Sequence, residues 1–405
     1  MEKTWLRNYV LLMLRVDKIF KANDDFYIDA YIGPSELKEI VEQEEVKKEI
    51  ELIQATDSLI NDLDALDFDI NRKEFLKRHL KAVKTILKIF DGQDLSLKEQ
   101  VESILDIEYK WVDESHFEKG LEYFKEGLPG RGDLIDRYAV WNERNVHVFK
   151  DSKEKFDYLN FIIKEMRTRS NKIIDLPDEE NINLEIVTDK RYGASTRYLG
   201  NLVSLVEIND DIPFNFFQLL PLITHELYPG HHTEFCLKEE HLINEKDYFE
   251  SNIFLLTSPQ LVISEGIGEV AFDMLFTPQK AAQWIKTNIY NPFEIKVSDV
   301  NLEALIQASR YNSLDQVSSN AAIMIDQGKD EKEVKNYIKK FTLQPEYMLD
   351  HTVKNLKSSS LKRVYSFTYY HGKTLVQDYL NTQKEQTEAL NYLMKNQLCP
   401  SFIKK

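Results

Sequence analysis

The chain has 405 residues, 42% of them hydrophobic and 30% charged, with a formal net charge of −16. That is a globular composition long enough for one large domain or two intimate ones, and its acidity argues against non-specific nucleic-acid binding and anionic membrane surfaces. Gly 13 and Pro 11 are low for this length, which favours long helices over a turn-rich β architecture.

Residues 9–14 are apolar, but Arg15 and Asp17 interrupt the run and no small-residue cleavage site follows. The stretch reads as a first core helix, not a signal peptide, and nothing approaches the roughly 18 apolar residues of a membrane span. Two cysteines, Cys236 and Cys399, make no disulfide framework, so a reducing cytoplasm is the expected compartment.

Apolar residues recur at helical spacing over 52–66 and again over 76–90 (Leu76, Leu80, Val83, Leu87, Phe90), with Asp62, Asp64, Asp67 and Asp69 marking a solvated turn between them. The first 150 or so residues therefore read as antiparallel helices with short connections. Residues 128–133 contain Arg-Gly-Asp and read as a turn. Another helix is expected over 153–169 and a linker over 176–180. The division expected is an N-terminal helical region, 1–175, and a catalytic region, 176–405, packed together as one unit.

The period then changes. Residues 184–187 and 202–208 are short and β-branched, punctuated by Gly193, Gly200 and Asn201, and read as strands of a small antiparallel sheet. An edge strand can pair with an extended peptide through its free backbone groups. Segment 202–208 is the candidate for that role; a purely structural sheet is the other reading.

Next comes His225-Glu226-Leu227-Tyr228-Pro229-Gly230-His231-His232. In zinc hydrolases two imidazoles hold the ion and the glutamate beside the first takes a proton from the attacking water. The usual second histidine lies four residues on, which here is Pro229. On a straight helix six residues turn about 600°, pointing His231 away, and seven carry His232 roughly 10 Å along the axis. Pro229 clashes with the carbonyl of His225 and ends the helix, and Gly230 permits the fold-back that delivers a histidine to the first. His231, immediately after the turn, gains most from it. His232 is the reserve, expected toward the cleft wall. A helix that simply ends in exposed histidines would leave the His-Glu pair unexplained.

Residues 264–271 carry Glu265 and Glu269 among the small residues Gly266, Gly268 and Ala271. A two-histidine site needs a third protein ligand, and Glu265 is the choice, with Glu269 orienting a histidine or substituting. A helix follows from 331, after a cap pair at 327–330. Segment 363–373 is dense in aromatic and polar groups.

The motif resembles the signature His-Glu-x-x-Pro-Gly-His-His of the family called domain of unknown function 885, whose members look like zinc metallopeptidases. The resemblance runs from about Arg191 to Leu380, with a weaker echo in Asp29-Ala30-Tyr31-Ile32-Gly33-Pro34. It implies a mainly α, metallopeptidase-like fold with one zinc ion per chain. Residues 265–268 match the family's Glu-Gly-Trp-Ala with Ile267 and Gly268 in place of Trp and Ala. Segment 369–372 resembles the Tyr-x-x-Gly of this family and, more distantly, of Taq-type metallocarboxypeptidases. On that match Tyr369 assists the oxyanion, with Tyr370 and His371 in reserve.

The expectation is a zinc hydrolase acting on short peptides, with His225, His231 and Glu265 as ligands and Glu226 as general base. Its rivals are an amidase or esterase on a small non-peptide substrate, and a catalytically silent scaffold. Arg310 and Arg363 are the residues considered for a substrate carboxylate. No nucleic-acid or membrane partner is expected.

Overall fold

The structure is a computed structural model that describes residues 1–145, 151–190, 194–211, 216–292 and 300–404. Arg191 and Gly193, named above, lie outside the described residues.

The fold is mainly α, as expected. The apolar run near the N-terminus lies in a helix, Glu2–Ala22, that buries Tyr9 to Leu14 with Val16, Ile19 and Phe20. The two periodic stretches are the helices Glu49–Leu63 and Ile70–Phe90, and Asp69, in the acidic turn, caps the second by accepting from the backbone N–H groups of Asn71 and Arg72. Helix Ser152–Ser170 follows, and Asp330 caps helix Glu331–Thr342 after Gly328 turns the chain with φ +77°.

Five strands make two small sheets: β1 (Ile28–Tyr31), β2 (Asn181–Val187), β3 (Ala194–Gly200), β4 (Val203–Asn209) and β5 (Ile253–Leu255). β1 and β5 pair antiparallel. The larger sheet has the order β2-β4-β3, with β2 parallel and β3 antiparallel to β4. Two expectations change here. The sheet is mixed, not antiparallel, because the chain crosses over from β2 to β3 before returning through β4. Segment 202–208 is the central strand, so its backbone groups are already paired on both sides and cannot take a peptide. Alternation and β-branching identify a strand but not its neighbours. The edge beside the metal motif belongs to β3, whose Thr196 hydroxyl donates to the Glu226 carbonyl at 3.1 Å.

Two large hydrophobic clusters form the interior. One gathers mainly residues 5–117 and 317–367, the other mainly 124–308 and 376–403, and Leu121, Leu375 and Phe402 pack against both. Each cluster thus draws on both halves of the chain. At the site, helices Pro259–Leu275 and Thr368–Thr382 cross with almost no separation. A Cβ at Gly266 would stand 2.4 Å from the Gly372 carbonyl oxygen, and one at Gly372 2.4 Å from that of Val262. Only glycine at both positions allows that approach.

Candidate metal centre

Helix Phe216–Glu226 ends at the His-Glu pair, residues 227–230 turn, and a new helix, His231–Lys238, starts at His231. The Tyr228–Pro229 peptide is cis. Gly230 is where the chain comes back over its own helix end: a Cβ there would lie 1.7 Å from the His225 carbonyl oxygen. Any other residue would push the second helix away from the first. The result brings the His225 and His231 rings to 4.7 Å between centroids, nearly perpendicular at 88°.

Glu265 reaches them from helix Pro259–Leu275. Its Oε2 lies 3.3 Å from His225 Nε2 and 3.8 Å from His231 Nε2. One ligand atom from each of the three residues fits within a span of 4.8 Å. Glu265 Oε2 is buried and has no hydrogen-bond partner. A tetrahedral zinc with bonds of about 2.0–2.1 Å separates its ligand atoms by roughly 3.3–3.4 Å. The two oxygen–nitrogen distances, 3.3 and 3.8 Å, lie at and a little beyond that spacing, and two imidazoles with an unpartnered carboxylate oxygen are a donor set suited to zinc.

The groups behind the three residues fix their orientation. The Ser264 hydroxyl donates to Glu234 and lies 3.2 Å from His231 Nδ1, so Nδ1 carries the proton toward Ser264 and Nε2 is left facing the cluster. Lys238 neutralises Glu234. Burial alone would raise the Glu234 pKa, but Lys238 and His231 hold it down at about 2. Glu269 lies 3.9 Å from His225 Nδ1, receives the Gln316 amide at 2.7 Å and has the Lys373 ammonium at 3.6 Å. It therefore stands behind His225 and not in the ligand set. Burial disfavours the charged form of His225, yet the Glu265 carboxylate 3.3 Å away and the charges of Glu226 and Glu269 outweigh it and raise its pKa to about 10. The metal-free centre is thus a carboxylate–imidazolium cluster. Burial opposes ionisation of Glu265 too, but the two histidines keep its pKa below the ordinary value.

His232 points elsewhere. It is buried, with Nδ1 2.7 Å from Ser204 Oγ and Nε2 2.9 Å from Glu180 Oε2. Glu180 also accepts from Tyr228 and pairs with Arg167. Serine, histidine and glutamate here have the connectivity of a hydrolytic triad, but Ser204 and His232 are both fully buried and no substrate reaches them. The network holds the second metal helix against the sheet.

Of the C-terminal aromatics, Tyr369 faces the centre: its hydroxyl donates to Tyr365 at 3.4 Å, and Tyr365 donates to Glu265 Oε1 at 3.1 Å. Burial and the Glu265 charge raise both phenol pKa values well above the ordinary one, so both remain donors. Tyr370 packs on His116 and Phe117, and His371 stacks on Phe367, its pKa lowered by burial to about 4. Neither reserve reaches the centre. Arg310 is paired with Asp273, and Arg363 donates to the Leu356 carbonyl.

Sequence reasoning missed Tyr365, Glu234, Glu180 and two acids beside the cluster, Asp29 and Asp315. Tyr365 stands four before Tyr369 and Glu234 three after His231, helical spacings that put each on the same face. Glu180 sat in a presumed linker and carried no such signal. Asp315 keeps its solvent access while protein surrounds it, the condition of a cleft wall. That enclosure, with the charges of Glu269 and Glu265, raises its pKa to about 6.

No family model matches the chain, and no curated protein matches it. Among the solved structures that resemble it are two described as candidate lipoproteins. One, from Colwellia psychrerythraea, has a TM-score of 0.54 at 13% identity over 87% of this chain and 65% of its own. The other, of unknown function and from Shewanella oneidensis, has a TM-score of 0.51 at 12% identity over 91% and 75%. The chain shares their fold. It spans less than two thirds of the Colwellia protein's length, and at these identities the likeness concerns the backbone alone.

Proposed function

We propose that the protein is a zinc-dependent hydrolase of the peptidase type, acting on short peptides. The observation that carries this reading is the convergence of His225 Nε2, His231 Nε2 and the orphaned Glu265 Oε2 beside Glu226. Those three side chains would hold the ion. Bound there, zinc supplies a Lewis acid that makes water more acidic and a carbonyl carbon more electrophilic.

The chain's own residues do the rest. The Glu226 carboxylate follows His225 directly, and its charge is felt at both histidines. It takes a proton from the attacking water and returns it to the leaving nitrogen. Tyr369, bonded only loosely to Tyr365, turns its hydroxyl to the developing oxyanion, while Tyr365 steadies Glu265. An extended substrate finds the edge of β3 at residues 194–197, which pair with β4 alone among the described residues.

Cytoplasmic placement belongs to the same proposal. Both cysteines are buried and unpaired, and among the described residues no helix is long and apolar enough to cross a membrane.

The test is metal analysis of protein purified without a histidine tag, followed by a peptide library read by mass spectrometry. About one zinc per chain and scission of peptides are expected. Less than about a tenth of an equivalent after zinc addition would overturn the reading. With zinc bound and no peptide cut, the activity would pass to an amidase, an esterase or a silent scaffold.

A further inference from the structure

The open edge of the larger sheet carries a cation that the hydrolysis just described does not use. Thr196 and Tyr198 of β3 turn their side chains toward the helices. The Thr196 hydroxyl donates to the Glu226 carbonyl at 3.1 Å, and Tyr198 is buried with its ring stacked on Phe235. Successive side chains of a strand point to opposite faces, so Arg197, between these two, stands on the outer face, where it is exposed. Opposite it on β4 is Leu205, which offers no charge. Glu207, the acid on that face of β4, lies across from Ser195 and has the Lys190 ammonium at 3.7 Å. Among the described residues the Arg197 guanidinium has no hydrogen bond and no ion pair.

Its place along the edge matters as much as its charge. Arg197 is one residue from Thr196, whose hydrogen bond ties the strand to the helix that carries the His-Glu pair. Beyond it the edge closes. Tyr198 pairs with Ser204 and Gly200 with Val203, so Leu199 is the extra residue of a bulge, and bulges end regular pairing. A Cβ at Gly200 would stand 2.9 Å from Ile32 Cγ2, so that side chain blocks the strand at this point. A peptide seated along residues 194–197 therefore meets Arg197 at the closed end of its seat. The peptide residue opposite Arg197 turns its side chain to the same outer face, with about 4.5–5.5 Å between Cβ atoms. A guanidinium at that distance meets a carboxylate with two parallel hydrogen bonds.

We propose that Arg197 selects an acidic side chain in the substrate, at the position opposite it when an extended peptide pairs with β3. This rests on the hydrolase reading for its setting and names the peptides that the site prefers. The guanidinium binds and positions; it takes no part in the proton transfers.

The test separates binding from hydrolysis. Zinc-loaded Glu226→Gln protein is mixed with hexapeptide pools, N-acetylated and C-amidated, matched except for one randomly placed Glu, Gln or Lys. The retained peptides are read by mass spectrometry. The Glu pool is expected to be enriched roughly 2–5-fold over the Gln pool, the range of an exposed opposite-charge pair across two strands. Non-specific attraction to a protein of net charge −16 would favour the Lys pool instead. Adding Arg197→Gln should remove the Glu preference with zinc content unchanged, and adding Arg197→Glu should turn it toward Lys. Equal retention of the three pools, or retention of none, overturns the proposal. So does a Glu preference that survives Arg197→Gln, which would leave the arginine as a charge that keeps other chains off the edge. An Arg197-dependent preference for free over amidated C-termini in the Gln pool, as large as that for Glu, also overturns it, since the guanidinium would then read the chain end. Hydrolysis is scored on protein with Glu226 intact. Arg197-dependent retention of Glu peptides without any scission would sink the hydrolase reading and leave the acidic subsite standing. Equal scission and equal retention of the Glu and Gln pools would do the reverse.

Discussion

The His225 imidazole lies against Gly268: a Cβ at that position would stand 2.8 Å from both Cε1 and Nδ1 of the ring. The space where position 268 has no side chain is the space in which the proposed ligand is seated. Gly268→Ala should therefore tilt the ring and weaken zinc binding by roughly 10–100-fold, as displaced support around a ligand does. Zinc titration against a chromophoric chelator reads this, with circular dichroism to show the helices intact. Unchanged affinity would mean that the ring tolerates the methyl group.

The two histidines after the Pro-Gly turn should separate cleanly. His231→Ala removes a group facing the cluster and should abolish tight zinc binding. His232→Ala should keep about one zinc per chain, but it strips Glu180 and Ser204 of a buried partner and should cost about 2–4 kcal/mol of stability. Denaturant unfolding of zinc-loaded His232→Ala against the zinc-loaded parent checks the second figure. Loss of metal from His232→Ala with retention by His231→Ala would exchange the two roles.

Metal affinity should climb with pH. In the metal-free protein His225 is held protonated up to about 10 and His231 is also raised, so a metal must displace protons. Apparent affinity should gain about a factor of ten per pH unit for each proton displaced, throughout pH 6–9. The sign for stability is opposite in the two forms. A histidine pKa raised on folding stabilises the metal-free protein fully below the unfolded value, near 6.5, and that contribution fades as pH rises toward 10. The difference in Tm between zinc-bound and metal-free protein should therefore widen from pH 6 to pH 9. Calorimetry in buffers of different ionisation enthalpy counts the protons released. A pH-independent affinity would deny that His225 starts protonated.

Glu226→Gln should leave zinc content and fold intact and slow hydrolysis by roughly 10²–10⁴-fold, because it removes a base while preserving shape. Near-full turnover of a validated substrate would assign the base elsewhere. Tyr369→Phe should slow turnover by roughly 10–10³-fold with zinc retained. Tyr365→Phe should act differently: it deprives Glu265 Oε1 of its donor, so zinc affinity itself should fall, and equal behaviour of the two variants would merge their roles.

What the sequence determined by itself was local and periodic. Apolar spacing over 52–66 and 76–90 revealed the helices Glu49–Leu63 and Ile70–Phe90, and proline clash with glycine freedom the break between His225 and His231, since both act within one or two turns of chain. The pairing of His225 with His231 is legible for the same reason. What only the tertiary structure decided depends on segments distant in sequence. Strand order made 202–208 central, although its composition suits an edge equally well. The close crossing at Gly266 and Gly372 brought Tyr365 to Glu265 across 100 residues. His232 was given to Glu180, from an unremarkable linker, because the sheet happens to stand behind the second helix. The bulge at Asp29 depends on the register of β1 with β5, more than 200 residues downstream. Spacing along the chain carries information about neighbours on one helix or turn; it carries none about which element a buried side chain will meet across the core.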